Sequence, residues 1–173
     1  MAKNIEIKAR SSKHELIRQI LTDHNANFIG TDHQIDHYYK VPNGRLKLRL
    51  GTIEKSLIFY DRPDTLEAKV SNYALFKRDS LDDLHPVLTQ ALGIMVTVDK
   101  MREIYFIQNA KIHLDKIEAL GEFVEIEIID EVKRDTRFNS LIEQCNYYQK
   151  TFDIDSTDLI DRSYSDLLLE QKH

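Results

Sequence analysis

One cysteine, Cys145, stands in 173 residues. That excludes an internal disulfide and a cysteine-rich zinc site. The five glycines never fall at the spacing of a dinucleotide fingerprint or a P-loop, so neither of those phosphate cradles is present. No apolar run approaches the ~18 residues of a membrane-spanning helix, and the polar opening Met1-Ala2-Lys3-Asn4 predicts no signal peptide. A basic surplus is missing too: 24 Lys and Arg face 29 Asp and Glu, for a net charge of −5. A general nucleic-acid binder needs the opposite balance, because every phosphate contact along a strand calls for a cation. Repeats, low-complexity tracts and Gly/Ser-rich linkers are also absent. What remains, 42% hydrophobic and 31% charged residues, is the composition of a globular protein with enough apolar side chains for a core. The length predicts one domain over 1–173, and the expected location is the cytoplasm.

The chain reads as mostly strands. Residues 4–10 alternate, with Ile5, Ile7 and Ala9 on one face and Glu6 and Lys8 on the other. Ser12 and Glu15 predict a capping box for a first helix carrying Leu16, Ile17, Ile20 and Leu21 as its apolar stripe. Strands are expected over 34–40, 45–50, 57–62 and 67–75, with Pro42-Asn43-Gly44 as a turn signal. A short helix over 84–92 tolerates Pro86 in its first turn and stops at Gly93. Strands over 95–107, 111–116 and 122–129 follow, then helices over about 137–150 and 158–170. Many strands, few helices and no βαβ rhythm predict an α+β fold around an antiparallel sheet or barrel.

The alternation also carries the chemistry. Arg45, Lys47 and Arg49 alternate with Leu46, Leu48 and Leu50, so one strand stacks three cations on one face and three leucines on the other. Lys100 and Arg102 repeat the pattern, and Lys8 and Lys69 hold matching polar-face positions. Any single strand of this kind can be an ordinary solvated face. Stacked like charges repel, however, and the set as a whole calls for anions nearby. A carboxylate set is present at the same spacing, in Glu125 and Glu127. With Glu6 and Asp115 it makes a hard-oxygen group suited to Mg²⁺ or Mn²⁺. Cations for phosphate oxygens and carboxylates for a divalent ion are two halves of a polyphosphate site. On the inward faces of a closed sheet they would line a polar tunnel.

The segments Ile5-Glu6-Ile7-Lys8, Gln34-Ile35-Asp36-His37-Tyr38-Tyr39 and Gly44-Arg45-Leu46-Lys47-Leu48-Arg49 resemble the CYTH superfamily of triphosphate tunnel metalloenzymes. The resemblance continues through Tyr60-Asp61-Arg62-Pro63-Asp64, Val98-Asp99-Lys100-Met101-Arg102, Leu120-Gly121-Glu122-Phe123-Val124-Glu125-Ile126-Glu127 and Ser163-Tyr164-Ser165-Asp166-Leu167-Leu168. Each motif alone is weak, but the ordered set covers almost the whole chain and looks most like the bacterial class IV adenylyl cyclase group. It implies an eight-stranded antiparallel β-barrel tunnel with flanking helices, holding a triphosphate and one or two divalent ions, Mg²⁺ or Mn²⁺. It further implies that Lys8, Arg45, Lys47, Arg49, Lys69, Lys100 and Arg102 grip phosphates, with Arg62 at a strand end. Glu6, Asp115, Glu125 and Glu127 are its metal ligands, and Lys8, Glu125 and Glu127 its catalytic set. One position departs from the family's opening Glu-x-Glu-x-Lys signature: Asn4 stands at its first Glu and offers a neutral carbonyl oxygen.

Other signals are set aside. His33 and His37 read as surface or strand histidines near a loop; His113 shares the strand face of Asp115 and could touch the tunnel, but reads first as a hydrogen-bonded structural histidine. Cys145 reads as core, Tyr147 and Tyr148 as helix packing, and the acidic stretch 153–161 as a solvated helix start capped by Asp155 or Ser156. Three functions stay open. The first is hydrolysis of a triphosphate such as tripolyphosphate, thiamine triphosphate or ATP. The second is cyclisation of ATP to cyclic AMP and pyrophosphate, and the third is polyphosphate or nucleotide binding without turnover. Nucleic-acid and membrane partners are not expected, and a homodimer is left open.

Overall fold

The computed structural model describes residues 2–61, 64–130 and 133–172. Eight antiparallel strands close into a barrel: β1 (Ala2–Arg10), β2 (Asn27–Tyr39), β3 (Arg45–Gly51), β4 (Lys55–Asp61), β5 (Lys69–Lys77), β6 (Ile94–Ile107), β7 (Ala110–Ile117) and β8 (Gly121–Ile129). Their order around the barrel is β1-β5-β4-β3-β2-β6-β7-β8, and β8 pairs back onto β1. Four α-helices lie outside the wall among the described residues: α1 (His14–Asp23), α2 (Leu84–Leu92), α3 (Leu141–Thr151) and α4 (Tyr164–Gln171). The expected eight-stranded antiparallel tunnel with flanking helices is therefore the architecture observed.

The barrel is inside out relative to an ordinary small protein. Alternation puts Ile5, Ile7 and Ala9 of β1, Ile112 and Leu114 of β7 and Val124, Ile126 and Ile128 of β8 on the outer wall. There they are buried under Ile17 and Leu21 of α1 and Cys145, Tyr148 and Phe152 of α3. Leu48 of β3 is covered in the same way beside Leu84 and Leu88 of α2. The hydrophobic core thus lies between wall and helices, and the charged alternate positions are forced into the lumen. One end of that lumen is apolar, where Tyr38, Val96, Val98, Ile117 and Phe123 pack against Tyr164 of α4.

Several boundaries differ from expectation. The first helix begins at His14 after Lys13, with no side-chain cap, while the Ser11 hydroxyl accepts from the Lys13 amide. The Ser12–Glu15 capping box does not form, and Leu16 is largely exposed. Strand β2 starts at Asn27 and contains His33, where a loop was expected. The pairing with β6 shifts between Phe28 and Gly30, and Gly30 takes φ 147°, open chiefly to glycine. This bulge, together with a polar inner face, hides the strand from a hydrophobic-period search. Helix α3 begins at Leu141 behind the Ser140 cap, and α4 begins after the Ser163–Asp166 capping box. A short 3₁₀ turn capped by Asp155 precedes it.

Candidate functional site

Inside the barrel is a cavity of about 320 Å³, within the range of small-ligand sites. Eight cations (Lys8, Lys47, Arg49, Lys55, Lys77, Lys100, Arg102 and Lys111) line it against five carboxylates. The chain carries a net charge of −5, yet the lining of this lumen has more cations than carboxylates.

Strand pairing places these groups. β1 meets β8 with Glu6 opposite Glu127 and Lys8 opposite Glu125, and β7 adds Lys111 opposite Glu127 and His113 opposite Glu125. The Lys8 ammonium lies 2.9 Å from Glu125 Oε2 and 3.9 Å from the centre of the Tyr164 ring. Asn4 Nδ2 donates to Glu127 Oε1. Burial raises the Glu127 carboxyl above its ordinary value; Lys111 works against this, and Glu6 and Glu125 add to it. Glu125 is held well below its ordinary value, because Lys8 and Arg102 outweigh its burial.

Asp36 is the hub of the opposite wall. Arg49 donates to both its oxygens at 2.9 and 2.8 Å, Lys100 donates at 2.7 Å, and Lys47 stands 3.8 Å away. Burial alone would raise its carboxyl, but Arg49, Lys100 and Lys47 keep it well below the carboxylate range. The same crowding acts on the cations. Burial, then Arg49, pushes Lys47 well below an ordinary lysine. Lys100 is lowered to about 8 by burial, with Arg49 and Arg102 assisting against Asp36. Arg102 in turn donates to both oxygens of Asp115 at 2.7 and 2.6 Å, and Tyr164 donates its hydroxyl to the same carboxylate at 2.6 Å. At the far end Glu54 joins Lys111 to Arg49.

The expected residues thus separate into groups. Glu6, Lys8, Lys47, Arg49, Lys100, Arg102, Glu125 and Glu127 all line the one cavity. Arg45 does not: it pairs with Asp166 at 2.9 Å in a smaller cleft of about 130 Å³ beside Gly44, Asp61 and Asp64. Lys69 is buried with its ammonium on the carbonyls of Thr65 and Asp161, outside the cavity lining. Asp115, expected among metal ligands, is fully buried with both oxygens engaged by Arg102 and Tyr164, and it too is outside the lining. Arg62 lies outside the described residues.

Sequence reasoning missed Asp36, Glu54, Lys111 and Tyr164, and it favoured a structural role for His113, which lines the cavity. Lys111 shares a period-two face with His113 and Asp115 and could have been read with them. Glu54 sits in the β3–β4 turn, which no periodicity covers; there Asp32 accepts from the Ile53 and Glu54 amides at 2.8 and 2.9 Å. His33 and His37 do face outward, bonding Asp99 at 2.7 Å and Thr97 at 3.1 Å. Cys145 is buried in the outer core.

Among the described residues, His113, Glu125 and Glu127 form a group able to hold a metal ion, with ligand atoms all within 4.8 Å of one another. No described helix is long and apolar enough to cross a membrane.

Comparison with known proteins agrees with the architecture. The CYTH domain profile matches residues 2–164. The PH1012 protein of Pyrococcus horikoshii OT3 superposes with a TM-score of 0.79 at 20% identity, covering 95% of this chain and 98% of that one. A candidate adenylate cyclase from Vibrio parahaemolyticus gives 0.76 at 19% identity over 97% and 98%. HpAC1 from Hippeastrum, a candidate adenylyl cyclase with a dominant triphosphatase activity, gives 0.61 at 15% identity over 99% and 96%. No curated protein matches the sequence significantly. At these identities the solved structures establish only the shared fold, but a profile match over nearly the full length places the chain in the CYTH domain family.

Proposed function

We propose that this protein is a divalent-metal-dependent hydrolase of triphosphates. One observation carries the reading: a barrel lumen with eight cations and five carboxylates in a chain that is acidic overall. Cations fixed inside a protein stabilise phosphoryl charge more than they would in water. In this reading Lys8, Lys47, Arg49, Lys100 and Arg102 hold the phosphate oxygens. Asp36 and Asp115 act as positioning residues that fix Arg49, Lys100 and Arg102 in place. Arg45 and Lys69 act from outside the lumen, and Asp115 is reassigned from metal ligand to Arg102 support because Arg102 and Tyr164 engage both of its oxygens and it is not part of the cavity lining. Glu6, Glu125 and Glu127 are left to hold a divalent ion, Mg²⁺ or Mn²⁺. The donor set fits such an ion, being carboxylates beside buried polar atoms that lack partners: Asn4 Oδ1 and His113 Nε2. When bound, the ion supplies charge neutralisation and a more acidic water.

Hydrolysis is preferred over cyclisation because the lining accounts for phosphates and metal but assigns no group to holding a ribose hydroxyl in line with the α-phosphorus. The dominant triphosphatase activity of HpAC1 supports the same choice. The less charged wall of Ile58, Tyr73 and Leu75 is where an organic substituent would lie, which keeps thiamine triphosphate and ATP as candidate substrates. Incubation with tripolyphosphate, thiamine triphosphate and ATP, each with Mg²⁺ and with Mn²⁺, should release phosphate from at least one. Cyclic AMP from ATP as the main product would overturn the choice, and no turnover of any of the three would leave a binding module.

The lysines predict a pH signature. Lys100 titrates at about 8 in the anion-free protein, and a bound polyanion favours its ammonium form. Tripolyphosphate affinity, measured by calorimetry, should therefore fall as pH rises through about 8, by at most about tenfold per pH unit for one linked proton. Stability of the anion-free protein responds in the opposite direction. Between about 8 and the ordinary 10.5 the unfolded chain holds more protons at this position, so the Lys100 contribution to stability rises with pH. Affinity that stays flat from pH 7 to pH 9 would remove Lys100 from the anion site.

A further inference from the structure

We infer that Tyr164, the first residue of α4, is a positioning residue of the anion site: its ring carries the Lys8 ammonium, and its hydroxyl, acting through Asp115, aims Arg102. The inference deepens the triphosphate reading, on which its functional sense rests, by giving the site a support beyond Asp36 and Asp115.

Two groups hold the Lys8 ammonium. Glu125 Oε2 lies at 2.9 Å, and the centre of the Tyr164 ring at 3.9 Å. They differ in kind. A carboxylate is an anion and competes with phosphate for the ammonium. A ring face attracts the same charge through its quadrupole, adds no negative charge to the lumen, and leaves the ammonium its full charge for phosphate.

The hydroxyl serves a second cation. It donates to Asp115 Oδ2 at 2.6 Å, and Arg102 donates to the same carboxylate from Nε and Nη2 at 2.7 and 2.6 Å. Arg102 lines the cavity and Asp115 does not, so the carboxylate grips the guanidinium from outside the lining. A two-point pair fixes the guanidinium plane only as well as the carboxylate itself is fixed. The bond from Tyr164 fixes it. Burial and the Asp115 charge hold the Tyr164 hydroxyl well above its ordinary range, so it stays a donor around neutral pH.

Tyr164 is itself held in place. Ser163 and Asp166 close a capping box around it, and Arg45 donates to Asp166 at 2.9 Å. Arg45, which stands outside the main cavity, thereby ties the start of α4 to β3. The Tyr164 ring meets Phe123 edge-on at 4.9 Å, and the residue is 4% exposed. Packing alone requires neither the ammonium contact nor the bond to Asp115.

The test uses the full chain with tripolyphosphate and no metal. Tyr164→Phe keeps the ring and drops the hydroxyl; Tyr164→Leu drops both. In the anion-free parent the ring current should move the Lys8 Hε resonances upfield of an exposed lysine, a shift kept in Tyr164→Phe and lost in Tyr164→Leu. Exchange of the Arg102 Nε proton should be slow in the parent and several-fold faster in Tyr164→Phe. Tripolyphosphate affinity, measured by calorimetry where circular dichroism shows each variant folded, should fall about threefold in Tyr164→Phe and about tenfold in Tyr164→Leu. Unshifted Lys8 resonances in the parent, unchanged Arg102 exchange in Tyr164→Phe, or lowered melting temperatures with unchanged affinity would overturn the inference. Should neither variant fold, the parent decides: an ordinary Lys8 Hε position or a rapidly exchanging Arg102 Nε proton is equally fatal. Phosphate release from tripolyphosphate with Mg²⁺ or Mn²⁺, run alongside, separates the two claims. Weaker binding in the variants without turnover by the parent ends the hydrolase reading and keeps the positioning role. Turnover with affinity unchanged in both variants does the reverse, and a parent that binds no tripolyphosphate ends both.

Discussion

Asp36→Asn is expected to destabilise the anion-free protein by about 3–5 kcal/mol, the usual cost of breaking a buried ion pair from one side. Asp36 is 1% exposed and balances Arg49, Lys100 and Lys47 at once. Asparagine keeps the shape and one acceptor but leaves three cations crowded in the lumen without their counterion. The same change removes an anion that competes with phosphate for those cations. Tripolyphosphate should therefore raise the melting temperature of the variant by more than it raises that of the parent. Thermal melts with and without tripolyphosphate check both parts. A variant as stable as its parent, or one gaining no more from the anion, would show that Asp36 is not the counterion of an anion site.

Glu127→Gln is expected to act in opposite directions on stability and on function. The parent carboxyl is disfavoured as an anion by burial and by Glu6 and Glu125, so neutralising it relieves repulsion in the metal-free state. Glutamine still offers an acceptor to Asn4 Nδ2. The metal-free variant should melt at or above the parent temperature, while metal-dependent phosphate release falls by about 100-fold or more through loss of a charged ligand. The pH dependence has the matching sign. A carboxyl raised in the folded state binds its proton more tightly there than in the unfolded chain, so its contribution to stability grows as pH falls through that range. Unchanged turnover in Glu127→Gln would place the metal elsewhere. A large loss of stability would mean that Glu127 serves as a structural counterion.

How much of this was legible beforehand depends on the kind of pattern involved. Strands with a strict two-residue alternation, such as Arg45 to Leu50 and Val124 to Ile128, declared their inward face directly, since the pleat leaves no other assignment. Those strands carry Lys47, Arg49, Glu125 and Glu127, and all four line the cavity. Arg45 obeys the same alternation yet ends outside, because it lies at the strand's end and Asp166 of α4 draws it into another cleft. Strand β2 was half hidden by its bulge at Gly30 and by an inner face of Asp32, Gln34 and Asp36, all buried and all polar. A search for apolar periodicity passes over such a face.

The sequence by itself determined the alternation of charge with apolar side chains, and with it a polar lumen inside an outer hydrophobic core. It also determined the residue types available for phosphate and metal, because these depend only on local spacing and side-chain chemistry. Partnership was decided by tertiary structure alone. Asp36 meets Lys100 across 64 positions, Asp115 meets Tyr164 across 49, and Asn4 meets Glu127 across 123. Strand register sets the first and last of these meetings, through β2 on β6 and β1 on β8, and the packing of α4 on the barrel sets the second. The physical reason is that a lysine or aspartate has the same sequence signature whether it faces substrate, metal or a buried counterion. Only the folded neighbours distinguish the three, and they assign Asp115 to Arg102 and leave the His113 lone pair buried without a partner.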